Sequence, residues 1–192
     1  MAMRRIEEES KRMSVLVEDL LTLARLDATP APRRAHVDLA ALAADAVEDA
    51  RATAPEREIA LEAAAPAFVS GDPHRLHQVL ANLVGNALAH TPSGTPIEVS
   101  VSRDGDSVIA SVRDHGPGLP DGSAERLFDR FWRAEGGRER GKAGAGLGLA
   151  IVRGVVETHG GRVSAQNAPG GGAVFTVRLP ASPPPEHAPA AS

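Results

Sequence analysis

Apolar residues recur near the start of the chain at intervals of seven, four and three: Ile6, Met13, Val17, Leu20 and Ala24. That spacing is the seam of a helix packed on other helices; Leu16 and Leu23 widen it, and charged residues fill the opposite face. A stripe this broad is not stable as a lone helix in water, so partner helices are expected. "ATPAP" at 28–32 stops the helix, because proline cannot continue it. Beyond it Asp38 is placed to cap a helix over "LAALAADAVEDARA", a strand is expected at 58–62 and a short one near Val69. Asp72 and Pro73 open a second helix that runs to about His90 and ends in "HTPSGTP". "PIEVSVSR" and "SVIASVRD" alternate with period two around Asp104, Gly105 and Asp106, which predicts an antiparallel hairpin. Residues 115–145 form a long Gly-rich stretch with a short helical patch at "AERLFDRFWR"; 147–159 is helical, and "GRVSAQNAPGGGAVFTVRLP" is a terminal hairpin. "ASPPPEHAPAAS", from Ala181, cannot build a core and is expected to be a disordered tail. The order implies an α+β fold, a mixed, mostly antiparallel sheet with helices on one face, preceded by one amphipathic helix. The expected organisation is an N-terminal helix at 1–27, a linker at 28–35, a main domain at 36–180 and a tail at 181–192.

Composition narrows the function classes. With 192 residues, 42% of them hydrophobic, the chain can bury one core but hardly two. A net charge of −4 gives no basic footprint for nucleic acid, and with no cysteine there is no disulfide, thiolate zinc site or thiol nucleophile. No apolar run reaches the roughly 18 residues of a membrane span, and "MAMRRIEEES" lacks the apolar middle of a signal peptide. The chain as given is expected to be cytoplasmic, without membrane contact of its own.

Three stretches could carry chemistry. "DHGPGL", 114–119, sets a carboxylate at a strand end, where it can accept a hydrogen bond from a ligand amine, and Gly116 and Gly118 let the chain approach a flat ligand. An ordinary strand-ending turn is the alternative. "GKAGAGLGLAIV", 141–152, runs from four glycines into a helix, offering free N–H groups and the positive end of the helix dipole to phosphate; a hinge followed by a helix cap is its alternative. It is not a P-loop, and no strand precedes it as a dinucleotide fingerprint requires. In "HQVLANLVGNALAHTP", 77–92, Asn82 and Asn86 share one helix face while Leu80, Leu83, Val84 and Leu88 face inward. Amide oxygens of that kind suit magnesium held beside a polyphosphate, or else pair with backbone.

"NLVGNA", "DHGPG", "LFDRFWR" and "GAGLGLAIV", in that order and at those separations, resemble the catalytic ATP-binding domain of sensor histidine kinases of two-component systems. The resemblance covers about 36–180, and "RRIEEESKRMSVLVEDLLTLARLD" looks like the second helix of the dimerisation and phosphotransfer hairpin that precedes this domain. It implies the Bergerat α/β sandwich, with Mg2+ and ATP as cofactors. By the same resemblance Asn86 is the magnesium ligand, Asn82 lies beside the phosphates, and Asp114 reads adenine through its exocyclic amine within a wall shaped by Gly116 and Gly118. Phe128 and Phe131 would anchor a lid. Arg133 would reach the phosphates, with Arg130, Arg138 and Lys142 as further candidates, and Gly144, Gly146, Leu147 and Gly148 would form the triphosphate cradle. ATP-hydrolysing relatives carry a glutamate four residues before the magnesium-binding asparagine; Asn82 stands there, and an amide is no base, so hydrolysis is expected to be weak.

The chain departs from that pattern at two points. Ala89 and His90 stand where family members often have lysine and tyrosine, so His90 either substitutes for a phosphate contact or packs beside the nucleotide. The family's acceptor histidine has no counterpart: all seven histidines, from His36 to His187, lie after the first helix. The chain is therefore expected to be a fragment or a shortened kinase that does not phosphorylate itself. In the full-length protein the resemblance implies a membrane-anchored homodimer whose histidine-containing hairpin accepts phosphate and passes it to a response regulator. A serine kinase of the anti-sigma-factor type and a non-catalytic nucleotide-binding module remain the alternatives.

Overall fold

The computed structural model describes residues 34–133 and 146–184, together with Ser10, Met13, Ser14, Leu16, Val17, 19–24 and Leu26 of the N-terminal helix. Asp38 ends a short strand, β1 (Ala35–Asp38), and its carboxylate starts helix α1 (Leu39–Thr53) by accepting from the Ala40 N–H at 3.0 Å. The same oxygen accepts from the Ala67 N–H at 2.9 Å, so one side chain both caps α1 and fixes the entry to β3 (Phe68–Gly71). β1 and β3 pair antiparallel, Ala35 opposite Gly71. β1 was not foreseen; it is set by that pairing and begins at the last residue of the expected linker.

Helix α2 (Pro73–His90) starts as expected, with the Asp72 carboxylate accepting from the N–H groups of His74 and Arg75 and proline at the first turn. The main sheet runs β2 (Ile59–Glu62), β4 (Ile97–Asp104), β5 (Ser107–Asp114), β7 (Ala173–Pro180) and β6 (Arg162–Asn167), in that order. β2 is parallel to β4 and every other pairing is antiparallel. Alternation places Ile97, Val99, Val101, Val108, Ala110, Val112, Phe175, Val177 and Leu179 on the buried face. Helices α1, α2 and α3 (Gly148–Thr158) cover that face with Val47, Leu80, Leu83, Ile151 and Val155. The predicted helical patch at "AERLFDRFWR" is a single 3-10 turn, Arg126–Phe128.

The described N-terminal residues are helical and lie on the domain. Leu23 is buried, Leu16 and Leu26 pack against the core, and Gly154 in α3 provides the seat, since a Cβ there would stand 3.0 Å from Leu26 Cδ1. The flank of the predicted stripe thus faces the domain, while Met13, Val17, Leu20 and Leu21 stay exposed. The expected tail is corrected at its start: Ala181 bridges Val69, and the Ser182 N–H donates to the Phe68 carbonyl at 2.8 Å, so both residues extend the fold.

His159 ties α3 to α2. It is 5% exposed; Nε2 accepts from the Asp72 N–H at 3.0 Å and Nδ1 donates to the Val155 carbonyl at 2.7 Å, which leaves one proton on the ring. Burial holds its pKa below the ordinary value, against the opposing pull of the Val155 carbonyl. Between the ordinary pKa of about 6.5 and the lower folded value, the unfolded chain binds a proton that the folded chain refuses. The stability from His159 is therefore complete above about pH 6.5 and is lost as pH falls below it, by at most about 1.4 kcal/mol per pH unit. Chemical denaturation should find His159→Gln about 1–3 kcal/mol less stable than wild type at pH 7.5, with the gap narrowing as pH falls to 5. A gap that stays constant with pH would remove His159 from the acid sensitivity.

Candidate functional site

Helix α2 brings the two asparagines to one face, as their spacing requires. The Asn82 amide donates to the Gly148 carbonyl at 3.2 Å, fastening α2 to the first residue of α3. The Asn86 side chain faces the same space and has no hydrogen-bond partner among the described residues. His90 stands exposed at the rim.

The opposite wall begins where β5 ends. Asp114 is 6% exposed, and its Oδ1 accepts from the N–H groups of Gly116 at 2.9 Å and Ala173 at 3.3 Å. Its other oxygen carries no bond from the described residues, leaving a buried carboxylate with one fixed and one free acceptor at the pocket wall. A Cβ on Gly116 would stand 2.5 Å from Thr91 Cγ2, and Gly118 adopts φ 82°, so neither position accommodates another residue without strain.

Several supports of this wall lie outside the expected motifs. A Cβ on Gly172, in the β6–β7 turn, would collide with the Asp114 carbonyl oxygen, so that turn and the strand end meet backbone to backbone. Arg57 is buried and donates to the Pro92 carbonyl and to Thr91 Oγ1, holding Thr91 against Gly116. Asn167, the last residue of β6, binds the main chain of Leu119. Close backbone approach and long-range pairing create these roles; in the sequence their only trace is the triple glycine at 170–172.

Leu127, Trp132, Arg133 and the start of α3 complete the cavity lining. Phe128 is buried, with its ring edge to face on Phe175 at 6.4 Å. Phe131, expected to anchor the lid beside it, is instead 62% exposed with φ 61°. The left-handed turn lets its N–H donate to the Gly146 carbonyl at 3.0 Å, joining Phe131 to the residue before Leu147 through backbone, with the ring outward. Gly146 adopts φ 73°, and a Cβ there would stand 2.7 Å from the Trp132 carbonyl oxygen. Leu147 precedes α3 with no side-chain cap and is buried beneath it; Gly148 and Leu149 line the pocket, so the helix start is presented to whatever the pocket holds.

The result is one cavity of about 460 Å³ that joins Asn82, Asn86, His90, Asp114, Gly118, Arg133, Gly146 and Gly148. Arg130 is not among its lining residues; it lies in a separate cleft beside Leu26 and Arg153. Arg138, Lys142 and Gly144 fall outside the described residues. Asp19, carried in on the N-terminal helix, lines the pocket and was not foreseen.

A polar rim of two amides, a half-satisfied carboxylate with an apolar wall beside it, and an uncapped helix start are chemistry that suits a nucleotide. A family profile described as histidine kinase-, DNA gyrase B- and HSP90-like ATPase matches residues 71–183. The chain belongs to this ATPase family. Within the family it is similar to sensor histidine kinases. It is 43% identical over 180 residues, 93% of its length, to the probable sensor histidine kinase TcrY of Mycobacterium tuberculosis, and it spans 38% of that protein. The solved full-length ShkA in complex with AMPPNP superposes with a TM-score of 0.78 at 33% identity, over 94% of this chain and 38% of that one. The mycobacterial sensor histidine kinase MprB superposes with a TM-score of 0.69 at 28% identity, over 78% of this chain and 99% of that one. This is the Bergerat-type fold expected from the motifs. Among the described residues no helix is long and apolar enough to cross a membrane.

Proposed function

We propose that this chain is the ATP-binding catalytic part of a sensor histidine kinase, delivering the γ-phosphoryl group of ATP to a histidine on a phosphotransfer hairpin. The observation that carries the reading is the convergence of Asn86, the free Asp114 oxygen and the start of α3 on one cavity. In this reading Asp114 accepts from the adenine amine, and Gly146 and Gly148 line the cavity beside the α3 N–H groups that face the phosphates. In this reading Arg133, exposed at the rim, would meet the γ-phosphate, and His90, also exposed there, would pack beside the nucleotide. The bond from the γ-phosphorus to its bridging oxygen breaks as a phosphorus–nitrogen bond forms to the acceptor imidazole, and ADP leaves.

Magnesium fits Asn86. Its side-chain amide lines the cavity without a hydrogen-bond partner among the described residues, and among those residues no group of three His, Cys, Asp or Glu side chains could hold an ion without the phosphates. The bound ion would neutralise polyphosphate charge. Asn82 is engaged with Gly148, and an amide cannot take a proton from water, which supports slow hydrolysis and retention of the phosphoryl group for a protein acceptor. From the resemblance to sensor histidine kinases, segment 1–27 is proposed to belong to the hairpin of a homodimer in a longer, membrane-anchored protein that signals to a response regulator. Similarity to sensor histidine kinases over most of the chain disfavours the serine-kinase and non-catalytic readings.

Labelled ATP and magnesium, supplied with a histidine-containing helical hairpin as acceptor, should yield base-stable, acid-labile phosphate on the hairpin. Asn86→Ala should reduce the rate at least about tenfold by removing a ligand oxygen. Phosphate on serine, or none on any hairpin despite ATP binding, would overturn the reading.

A further inference from the structure

The 114–119 loop is held at its start by Asp114 itself, but glycine at 116 and 118 leaves its far end without stiffness of its own. That far end matters, because Gly118, Leu119 and Pro120 line the cavity on the Asp114 side. Asn167 catches it there. Its Oδ1 accepts from the Leu119 N–H at 2.6 Å, and its Nδ2 donates to the Leu119 carbonyl at 3.3 Å. An amide that both accepts from and donates to one residue's main chain does what a neighbouring strand would do, and only Asn or Gln offers that pair of groups. The approach is so close that a Cβ on Gly118 would stand 2.6 Å from Asn167 Oδ1.

The position of Asn167 connects this clamp to the carboxylate. Asn167 pairs with Ala173 across β6 and β7, and the Ala173 N–H donates to Asp114 Oδ1. The loop therefore leaves β5 at Asp114, passes Gly172 with no room for a side chain, and is caught by Asn167 on the edge strand. Both ends of the wall are referred to the same β6–β7 hairpin, so the distance between the Asp114 acceptor and the Leu119–Pro120 surface is set by that hairpin.

We infer that Asn167 is a positioning residue for nucleotide recognition: by clamping Leu119 it fixes the wall against which the base lies, and so sets both affinity and the preference for adenine. This rests on the proposed nucleotide site. Asn167 touches no ligand in this arrangement and acts through Leu119. It is exposed to solvent, so its bonds contribute little to global stability, while the loop they order is the one the base meets.

The test is calorimetric titration of wild type, Asn167→Ala and Asn167→Asp with the unhydrolysable triphosphate analogues of adenosine and guanosine, and with ADP, alongside thermal melts of the free proteins. Asn167→Ala should weaken the adenosine analogue and ADP equally, about tenfold, because the defect lies at the base and not at the phosphates. The ratio of adenosine to guanosine affinity should fall, and the melting temperature of the free protein should stay within about 2 °C, as an exposed site allows. Asn167→Asp keeps the acceptor for the Leu119 N–H and should recover part of the lost affinity. Wild-type affinity and selectivity in Asn167→Ala would overturn the inference. So would a loss that comes with a large fall in melting temperature and unchanged base selectivity, which marks a general structural role. Failure of the wild type to bind any nucleotide would instead refute the site itself.

Discussion

Asp114→Asn should lose ATP binding by about 100-fold or more while the free protein keeps its fold. Asp114 uses Oδ1 internally, accepting from the N–H groups of Gly116 and Ala173, and asparagine can set its amide oxygen in that place. What changes is the other position, which turns from an acceptor into an NH2 donor. A ligand amine arriving there meets a donor on a side chain that is 6% exposed, where water cannot repair the mismatch. Losing a charge-assisted hydrogen bond and leaving two donors opposed costs about 3 kcal/mol, which is the 100-fold. Asp114→Ala is the less informative variant because it also frees two backbone N–H groups. Calorimetry with an unhydrolysable ATP analogue, paired with a thermal melt, reads both halves; binding within threefold of wild type would show that the free oxygen is not the base-reading group.

The largest effect on stability should come from Gly172→Ala. Gly172 has φ 84°, where an L-residue costs roughly 1–2 kcal/mol, and its new Cβ would fall on the Asp114 carbonyl oxygen. Backbone meets backbone there, so no rotamer change relieves it, and overpacking adds about 1–3 kcal/mol. The expected loss is about 2–5 kcal/mol, a fall in melting temperature of about 10 °C, with nucleotide binding lost because the Asp114 strand end is displaced. Gly170→Ala is the control: its φ is 88° and nothing lies within 4 Å of the added Cβ, so it should show the conformational cost alone. Equal effects of the two substitutions would mean the hairpin turn does not bear on Asp114.

The elements legible in the sequence are those with local causes. Asp38, Asp72 and Pro73 mark helix starts by capping chemistry, and β4, β5 and β7 show period two because one face is buried and the other meets solvent. β1 was invisible because "AHVD" carries no pattern of its own and becomes a strand only by pairing with β3. The first residues of the tail read as disordered from composition, yet Ala181 and Ser182 find partners on β3 and after β4 that composition cannot express. The N-terminal stripe was legible as helix, but which flank packs on the domain depends on Gly154 leaving room for Leu26.

The pocket divides in the same way. Asn82, Asn86, Asp114, Gly146 and Gly148 could be named in advance because amide, carboxylate and glycine chemistry point to a polyphosphate and a flat ligand bearing an amine, and all five line one cavity. Phe131 could not be placed, since sequence does not reveal that its backbone turns left-handed to reach Gly146. Arg57, Asn167 and Gly172 escaped notice because each acts on the wall from a distant part of the chain, with no local motif to mark it.

The most direct measurement is titration of the intact chain with an unhydrolysable ATP analogue, with and without magnesium, followed by calorimetry. One site per chain, tighter with magnesium and unmatched by the guanosine analogue, is the expected result. Absence of binding, or equal binding of adenosine and guanosine analogues, would contradict an adenine nucleotide site built on Asp114 and Asn86.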